Sequence, residues 1–509
     1  MIANVASVAL IGMEAAPVEV EVDLSPGLPD FQIVGLPTAA VREARQRVRA
    51  ALINSEEEWP QRRITANLAP GDLRKEGSLL DLPLAVGVLV AAGRVKREAL
   101  SGHLLLGELA LDGRLRPVRG VLAAALAARE RGLRALVVPR ENAAEAALVP
   151  GLEVIGVSHL AEVVAFARGE RSGQLASGTN PPDLKRLLCE GLAQAPDLAE
   201  VRGQALARRA LEIAAAGSHN LLMVGPPGSG KTMLARRLPG ILPPMSAQEA
   251  LEVTHVWSVA GLLRARQPVV ATRPFRSPHH QASAAAIIGG GSTVPRPGEV
   301  SLAHHGILFL DELPLFSGAV LDGLRQPLEE GTVTIARQGA CIRFPARATL
   351  VGAANPCPCG RAGERGPCCT CPPGRLEAYR SRLSGPLLDR IDLHVEVAAL
   401  RESELLDLEP SEPSAVVRAR VIEARLRRRT REAGCDRMTR PGEIEELCML
   451  DSSAQRFLRR ALCSHTTSAR AFRRVLRVAR TIADLEGEDR VGEAQVGEAL
   501  QFRRVVWEA

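Results

Sequence analysis

One short segment near the middle of the chain has the residue types and spacing of a phosphate-binding loop. It consists of Gly225, Pro226, Pro227, Gly228, Ser229, Gly230, Lys231 and Thr232. The apolar run 221–224, a predicted strand, precedes it and a helix-forming stretch follows, which is the order of a P-loop. The glycines let backbone N–H groups surround an anion, the Lys231 ammonium reaches the β- and γ-phosphates, and the Thr232 hydroxyl binds Mg²⁺. The segment therefore predicts a nucleotide-binding site rather than a chance glycine-rich turn.

The choice between lysine and arginine supports this prediction. Of the 64 basic residues only four are lysines, at positions 75, 96, 185 and 231, so arginine is strongly favoured elsewhere. Position 231 nevertheless has a lysine. A planar guanidinium does not replace a compact ammonium between phosphate groups, so a lysine at this position is what nucleotide binding requires.

A second group of polar residues follows an apolar run downstream of the loop. The run Ile307 to Leu310 ends in two carboxylates, Asp311 and Glu312. This is the pattern of a Walker B strand, in which Asp311 binds Mg²⁺ together with Thr232. Glu312, at the strand end, is expected to orient and deprotonate the attacking water. Without the phosphate-binding loop, a buried strand followed by solvated acids would explain the same residues.

Composition indicates an ordinary globular protein. A length of 509 residues predicts two to four domains, and 46% hydrophobic with 24% charged residues is a typical soluble composition. The net charge of +6 is mild, although residues 418–431 concentrate arginines on a predicted helix. We find no export signal and no membrane span, so we expect a cytoplasmic protein. Its ten cysteines are then expected to be reduced, and a cluster of them favours metal binding.

The chain divides into four predicted regions. Residues 1–168 mix short strands with alanine-rich helices, such as the one predicted over 121–130, and this predicts an α+β domain. Residues 169–186 include a stretch rich in Gly, Ser and Pro and are predicted to be a linker. Residues 187–400 alternate strands and helices, which predicts an α/β domain around a parallel sheet. Residues 401–509 are predicted to be helical.

Four longer phrases give the sequence a specific resemblance. They are FRSPHH at 275–280, GEVSLAHHG at 298–306, ANPCPCG at 354–360 and SGPLLDRID at 384–392. With the two nucleotide motifs, they resemble AAA+ ATPases of the magnesium-chelatase-like group, and most closely the ComM/YifB family of bacterial DNA motors. The resemblance extends over essentially the whole chain. It implies an AAA+ P-loop domain with a helical lid, ATP and Mg²⁺ as ligands, and a homo-oligomeric ring, expected to be a hexamer.

The resemblance also implies roles for three residues. Asn355, after a predicted strand over 349–353, corresponds to the sensor that positions water near the γ-phosphate, and an amide can donate and accept a hydrogen bond at once. Arg390 corresponds to the arginine finger offered to the nucleotide of the neighbouring subunit. Arg470 corresponds to the second sensor on a lid helix. The alternatives are surface ion pairs or, for Asn355, a turn before a proline.

Two alternating runs, 332–337 and 341–344, surround a Gln-Gly pair and predict a β-hairpin. In the group that the chain resembles, such a hairpin projects toward the pore of the ring. Arg337 and Arg343 are then candidate phosphate contacts. A structural hairpin with solvated arginines explains the pattern equally well.

Four cysteines form two C-x-C pairs on either side of a glycine-rich loop, namely Cys357, Cys359, Cys369 and Cys371. Four thiolates at this spacing can close a tetrahedral zinc site, and the loop has little apolar material to order it otherwise. A set of reduced loop cysteines is the alternative. The family resemblance implies Cys369 and Cys371 as the second pair, while the adjacent Cys368 is another possible fourth ligand.

Two histidine pairs, 279–280 and 304–305, lie near Glu299. They do not have the H-E-x-x-H spacing of a catalytic zinc site. The resemblance implies a structural and substrate-handling insertion, so we do not expect a catalytic metal there.

Residues 106–142 resemble the proteolytic domain of Lon proteases, which has a ribosomal S5 domain 2-like fold. That chemistry needs a serine nucleophile activated by a lysine. The segment where the lysine should fall, 120–125, has none, and Lys75 and Ser78 depart from the family pattern. We therefore expect a Lon-protease-like domain that is catalytically inactive.

Taken with the resemblance, the motifs predict an ATP-driven DNA motor. Such a helicase would promote branch migration in recombination during natural transformation, acting on single-stranded, forked or branched DNA. The alternative is a magnesium-chelatase-like remodeller of a protein partner without nucleic acid. A Lon-like peptidase is a third class, against which the missing lysine counts. Stimulation of ATP hydrolysis by DNA separates the first two.

Overall fold

Two β-sheets with helices packed on them, followed by a group of helices, form the described part of the chain. The computed structural model describes residues 2–170, 176–177, 181–264, 267–291, 294–337, 340–362, 369–383, 385–399, 411–433, 448–464 and 469–503. The predicted α/β class with a parallel sheet is confirmed.

The first sheet has eight strands of mixed direction, and a separate short hairpin accompanies it. The strands in this part of the chain are β1 (Ala3–Ile11), β2 (Glu14–Ser25), β3 (Asp30–Val34), β4 (Arg63–Ala69), β5 (His103–Leu105), β6 (Glu108–Leu109), β7 (Leu115–Arg116), β8 (Ala135–Pro139), β9 (Glu153–Val157) and β10 (Ala176–Ser177). The sheet order is β10-β9-β8-β5-β1-β2-β4-β3, and β6 pairs with β7. In β2, Val18, Val20 and Val22 are buried and Glu19 is exposed, so one face of the strand enters the core.

Helices pack around the first sheet. They are α1 (Ala39–Asn54), α2 (Asp81–Ala91), α3 (Val121–Glu130), α4 (Ala143–Ala146) and α5 (Leu160–Arg168). Helix α2 is buried along its whole length, which its apolar composition permits. Its one charged residue, Asp81, is held by two hydrogen bonds of 2.7 and 2.9 Å from Arg47. Burial raises the pKa of Asp81, and the Arg47 guanidinium opposes this shift.

The second sheet is parallel throughout and positions the candidate site. Strands in this part of the chain are β11 (Leu221–Val224), β12 (Phe275–Arg276), β13 (Gly289–Gly290), β14 (Arg296–Pro297), β15 (Ile307–Leu310), β16 (Thr332–Arg337), β17 (Ala340–Pro345), β18 (Thr349–Ala354) and β19 (Leu393–Glu396). The sheet order is β12-β15-β18-β11-β19, while β13 pairs with β14 and β16 with β17. Because all five sheet strands run the same way, their carboxyl ends share one edge, where α/β sheets bind ligands.

Helices flank this sheet and link it to the first. They are α6 (Leu184–Ala193), α7 (Ala205–Gly217), α8 (Lys231–Ile241), α9 (Ala247–Ala260), α10 (Ala284–Ile287), α11 (Glu299–Leu302), α12 (Gly318–Gly323), α13 (Arg325–Glu330), α14 (Pro373–Ser381) and α15 (Gly385–Leu388). Helix α9 starts with a capping box of Ser246 and Glu249. Its residues Ala250 and Val253 belong to the same apolar core as the first sheet. This helix therefore connects the two sheets.

The remaining described elements are four helices, α16 (Ser414–Ala433), α17 (Ser452–Ser464), α18 (Ala469–Glu486) and α19 (Glu493–Gln501). The arginines of α16 serve the fold. Arg425 donates to the Ala215 carbonyl at 2.9 and 2.6 Å, and Arg428 donates to the Gly217 carbonyl at 3.1 Å. These are carbonyl groups at the C-terminus of α7, where cationic side chains are favoured. Packing on α7 thus accounts for two of the arginines of this helix.

The predicted hairpin is present as β16 and β17, and it packs against the β1–β2 turn. A Cβ atom on Gly12, in that turn, would lie 2.2 Å from Ile342 Cγ2, so only glycine fits. Val333 and Phe344 of the hairpin are buried, and Arg343 is exposed. The side chain of Arg337 lies outside the described residues.

Several element predictions are confirmed at residue level, including the strand over 221–224 and the helix over 121–130. Part of the predicted linker, 171–175 and 178–180, lies outside the described residues, and β10 and the start of α6 fall within the rest. The domain boundaries stay predictions. Of the helices in the described ranges, none combines the length and the apolar composition that crossing a bilayer requires.

Candidate nucleotide-binding site

Neighbouring strands of the second sheet bring the predicted nucleotide residues to one edge. Strands β11 and β18 are in register at their carboxyl ends, where Val224 lies opposite Ala354. Strand β15 runs parallel to β18 on its other side. The phosphate-binding loop after β11, Asn355 after β18 and the two acids after β15 therefore begin at the same edge of the sheet.

The conformation of the phosphate-binding loop depends on its glycines. Gly228 and Gly230 have φ angles of +80° and +92°, a region that favours glycine. Gly225 has no room for a side chain, since a Cβ atom there would lie 2.1 Å from the Val397 carbonyl oxygen. Helix α8 begins at Lys231, directly after the loop. Its N-terminal N–H groups and dipole favour an anion at this place.

The Lys231 side chain is buried beneath the loop. Its Nζ donates to the carbonyl oxygens of Gly225 at 2.6 Å and Pro226 at 2.7 Å, and to Asn355 Oδ1 at 3.3 Å. Burial lowers the pKa of Lys231, and the Asp311 carboxylate opposes this shift. A buried cation held by neutral oxygens is stabilised further when a phosphate approaches.

Thr232 and Asp311 are in direct contact. Thr232 Oγ1 donates to Asp311 Oδ2 at 2.9 Å, and the Glu312 N–H donates to Asp311 Oδ1 at 3.0 Å. A hydroxyl and a carboxylate oxygen side by side fit Mg²⁺, which takes few protein ligands and completes its shell with water and phosphate oxygens. When bound, Mg²⁺ would neutralise phosphate charge.

Glu312 has an unusual backbone conformation. Its φ and ψ of 52° and 44° lie in the left-handed region, which is uncommon for residues other than glycine and is often found at functional positions. Its Oε2 lies 3.1 Å from His280 Nδ1, and its side chain is 46% exposed. The carboxylate is therefore accessible to water and has a histidine partner.

A cavity of about 790 Å³ lies between these groups. It is lined by the phosphate-binding loop, the two acids, Asn355, Arg236 and residues 277–280. This volume is in the range of small-molecule sites and can accept a nucleotide. The geometry thus brings residues of the phosphate-binding loop and both acids of the Walker B motif to one cavity.

The sequence did not predict the position of residues 277–280. They follow β12, which has only two residues and pairs in parallel with β15. The ring of Phe275 in β12 stacks on Phe309 of β15, with centroids 5.8 Å apart. Because β12 ends at the same edge as β15, His280 reaches Glu312. In the sequence, only the FRSPHH phrase marked this segment. Its strand is too short to show the alternation of apolar and polar residues by which strands are recognised.

The four predicted cysteines lie together directly after Asn355. Their Sγ atoms are all within 4.8 Å of one another, and three of the pairs are 3.2, 3.6 and 3.6 Å apart. Zn–S bonds of about 2.3 Å in a tetrahedron give S–S edges of about 3.8 Å, whereas a disulfide is about 2.05 Å. The donor set and its spacing fit a zinc ion. It comprises Cys357, Cys359, Cys369 and Cys371, while Cys368 lies outside the described residues.

The cysteine loop touches the phosphate-binding loop. Gly360 has a φ of +80°, and a Cβ atom on it would lie 2.5 Å from Pro227 Cδ. The Tyr379 hydroxyl donates to the Asn355 carbonyl at 3.3 Å, and burial raises the pKa of this hydroxyl to about 12. The cysteine loop and α14 therefore support both the phosphate-binding loop and the predicted sensor.

Arg390 is not part of this cavity. It lies before β19, and its carbonyl accepts a hydrogen bond of 2.9 Å from Asn220, which precedes β11. The residue is thus at the amino-terminal edge of the sheet, opposite the phosphate-binding loop. Its guanidinium is 2.7 Å from Glu329 Oε1. Arg470 is in the first turn of α18, and its side chain lies outside the described residues.

His304 and His305 form a cluster with Glu252 of α9. His304 Nδ1 accepts from the Arg347 N–H at 3.1 Å, so the proton of the neutral ring is on Nε2, which is 3.3 Å from Glu252 Oε2. A ring nitrogen that carries a proton does not bind a metal. Burial lowers the pKa of His304 to about 4, so the ring stays neutral. The cluster ties α9 to the turn before β15.

Three family models match successive parts of the chain. A family model described as magnesium chelatase, subunit ChlI, matches residues 197–405. Models described as subunit ChlI of Mg-chelatase and as the C-terminal part of that subunit match residues 20–142 and 411–503. Fold, site and matches together define a magnesium-chelatase-like AAA+ protein.

Relatives of similar length make the assignment more specific. The chain is 44% identical over 510 residues to the competence protein ComM of Haemophilus influenzae, covering 99% of this chain and 98% of that protein. It is 43% identical over 498 residues to the uncharacterized protein YifB of Escherichia coli, covering 98% and 96%. It is 29% identical over 201 residues to the magnesium-chelatase 38 kDa subunit of Rhodobacter capsulatus, covering 37% and 51%. The chain belongs to the ComM/YifB family.

Proposed function

We propose that this protein is an ATP-hydrolysing motor that assembles into a ring and moves DNA, promoting branch migration in recombination during natural transformation. The observation that carries the proposal is the meeting of the phosphate-binding loop, the Thr232–Asp311 pair, Glu312 and Asn355 at one cavity. The DNA role is supported by the 44% identity to a competence protein.

Within this proposal each group has a separate task. Lys231 and the loop N–H groups hold the phosphates, and Thr232 and Asp311 hold Mg²⁺. Glu312 accepts a proton from the attacking water, with Asn355 positioning that water. Arg390 completes the site of the next subunit, which its place at the opposite edge of the sheet favours.

The first and last regions have supporting tasks in the proposal. Residues 1–168 are an inactive Lon-protease-like domain. Ser78 donates to the Glu108 carboxylate, and the buried Lys75 donates to the Pro70 carbonyl, so serine and lysine do not form the pair that peptide hydrolysis needs. Residues 401–509 are a helical lid that carries Arg470 as second sensor.

DNA should stimulate ATP hydrolysis by the wild-type protein. We expect higher turnover with forked or single-stranded DNA than without DNA. The stimulation should fall steeply as salt rises from about 50 to 200 mM, because binding of phosphates to basic residues releases counterions. A steady-state ATPase assay over a salt series measures this, and hydrolysis without DNA over the same series is the control.

The alternative is a remodeller of a protein partner, which the match to a magnesium-chelatase subunit model favours. A hydrolysis rate that no form of DNA changes at any salt concentration would support this alternative and contradict the DNA motor. Gel-shift measurements with the same DNA forms show whether a failure of stimulation is also a failure of binding.

The cysteine cluster is proposed to hold one structural zinc ion. Protein purified without chelator should contain about one zinc per chain, and Cys357→Ser or Cys371→Ser should remove it, because a closed tetrahedral site needs all four ligands. Elemental analysis measures the metal. Cys341→Ser, at an exposed cysteine outside the cluster, is the matched control and should keep the zinc. Zinc-free wild-type protein would contradict the proposal.

A further inference from the structure

A second cavity, of about 520 Å³, lies where the first sheet's helices meet α9 and the segment that follows it. On one side, residues 1–168 contribute the segment before α3 and residues around α4. On the other side, α9 and the segments after it contribute Ser258, Gly261, Arg264 and Arg296. We call the boundary between these two sides the junction. The cavity is separate from the nucleotide site, since none of its lining residues is shared with the larger cavity.

Hydrogen bonds across the junction fix the floor of this cavity. The buried Glu145 accepts from the Ser258 hydroxyl at 2.5 Å and from the Leu122 N–H at 2.9 Å. The Gly120 N–H donates to the Ser258 carbonyl at 3.0 Å. The floor therefore joins both sides of the junction by hydrogen bonds.

Three arginines line this cavity, and among the described residues none of their guanidinium groups has an ion pair or a hydrogen bond. They are Arg119, Arg264 and Arg296. Arg119 is half-buried, and its stem packs on Gly261, where a Cβ atom would lie 3.6 Å from Arg119 Cβ. Burial lowers the pKa of Arg119, the neighbouring positive charge of Arg296 lowers it further, and the more weakly acting Glu76 carboxylate opposes these shifts. An anion bound between two positive charges reduces their mutual repulsion.

The carboxylates at the cavity have other partners or lie at its rim. Glu145 is held by three hydrogen bonds, the third from Asn142 at 3.2 Å, and burial raises its pKa. Glu108 accepts from Ser78 and lies 3.8 Å from Arg116. Glu141 is exposed at the rim. The guanidinium groups are thus left as the recognition groups of the cavity.

We propose that this cavity binds a phosphorylated small molecule of up to nucleotide size, with Arg119 and Arg296 holding its phosphate groups. Guanidinium forks match phosphate oxygens in pairs, and more than one of them favours a ligand with several negative charges. A volume of this size is typical of small-molecule sites. Such a ligand contacts both sides of the junction, so it would stabilise their relative position. This site is independent of the nucleotide site and of the DNA role.

The test uses the full chain carrying Lys231→Ala, which weakens the phosphate-binding loop and leaves the second cavity intact. Isothermal titration with inorganic phosphate, pyrophosphate and AMP, without Mg²⁺, should show saturable binding by at least one of them. Adding Arg119→Gln or Arg296→Gln should raise the Kd at least about tenfold, since a charge-assisted hydrogen bond is lost. Arg134→Gln is the matched control, because Arg134 is an exposed arginine of the first region that lies 3.8 Å from Glu153.

Arg296 is exposed, so its variant reports on binding even where Arg119→Gln lowers the melting temperature. Comparison of phosphate, pyrophosphate and AMP distinguishes a free phosphate source from a nucleotide. The proposal is overturned if none of the three binds saturably, or if both variants bind as tightly as the control. Binding of a single-stranded oligonucleotide but of no small phosphate ligand would overturn it in favour of a DNA contact.

Discussion

Lys231→Ala should weaken ATP binding by about 100-fold or more, whereas Glu312→Gln should bind ATP normally and lose nearly all hydrolysis. The Lys231 ammonium is buried under the loop and gains a charge-assisted contact with phosphate, which its removal abolishes. Glu312 lines the cavity and its side chain is 46% exposed, so we expect its carboxylate to contact the attacking water rather than ground-state phosphates. Loss of a general base lowers turnover by about 10² to 10⁴-fold.

Equilibrium binding of a fluorescent ATP analogue and steady-state hydrolysis separate the two effects. Glu312→Gln preserves the size of the side chain. Glutamine is no more strained than glutamate in the left-handed backbone conformation of this position. Lys96→Ala, at an exposed lysine in the first region, is the matched control for removing an ammonium. An equal loss of ATP affinity in Lys231→Ala and Glu312→Gln would refute the division of roles.

Arg390→Ala should bind ATP with wild-type affinity and lose about 10³-fold or more in turnover, the usual effect of removing an arginine finger. The residue lies at the edge of the sheet opposite its own phosphate-binding loop, so we expect it to serve the nucleotide of another subunit. Its partner within the chain, Glu329, would release it on assembly. Arg375→Ala, at an exposed arginine of α14, is the matched control.

Mixing provides a sharper measurement of the same role. Arg390→Ala subunits keep an intact nucleotide site, and Lys231→Ala subunits keep an intact finger. Rings that contain both variants should therefore regain sites in which an intact nucleotide site meets an intact finger. The rate of hydrolysis should then rise above the sum of the rates of the two separate variants. Activity that simply adds on mixing, at concentrations where sedimentation shows mixed rings, would contradict a finger acting between subunits.

The nucleotide residues could be predicted because their signals are local. The phosphate-binding loop and the Walker B acids each occupy one short segment next to a strand, and the parallel sheet brings strand ends together without further information. The cysteine cluster was predictable for the same reason, since two C-x-C pairs in one loop can reach one another. The strand over 221–224 and the helix over 121–130 carry strong local patterns and were located to the residue.

The contacts that were not predicted join distant parts of the chain. His280 reaches Glu312 through a two-residue strand that leaves no periodic pattern. The arginines of α16 look like a basic surface in the sequence, yet Arg425 donates to a carbonyl 210 positions away. Helix α9 was assigned to the ATPase region by its place in the chain, and its packing on the first core depends on tertiary contacts.

The contact between Gly360 and Pro227 gives the cysteine cluster a direct route by which to affect the phosphate-binding loop. In the proposed zinc form, a metal that fixes the cysteine loop also restricts the positions open to the nucleotide loop. Coupling between two binding events is reciprocal, so nucleotide must favour retention of the metal by the same factor by which the metal favours the nucleotide. Zinc supply and ATP level would then together determine the fraction of the protein that has both ligands bound.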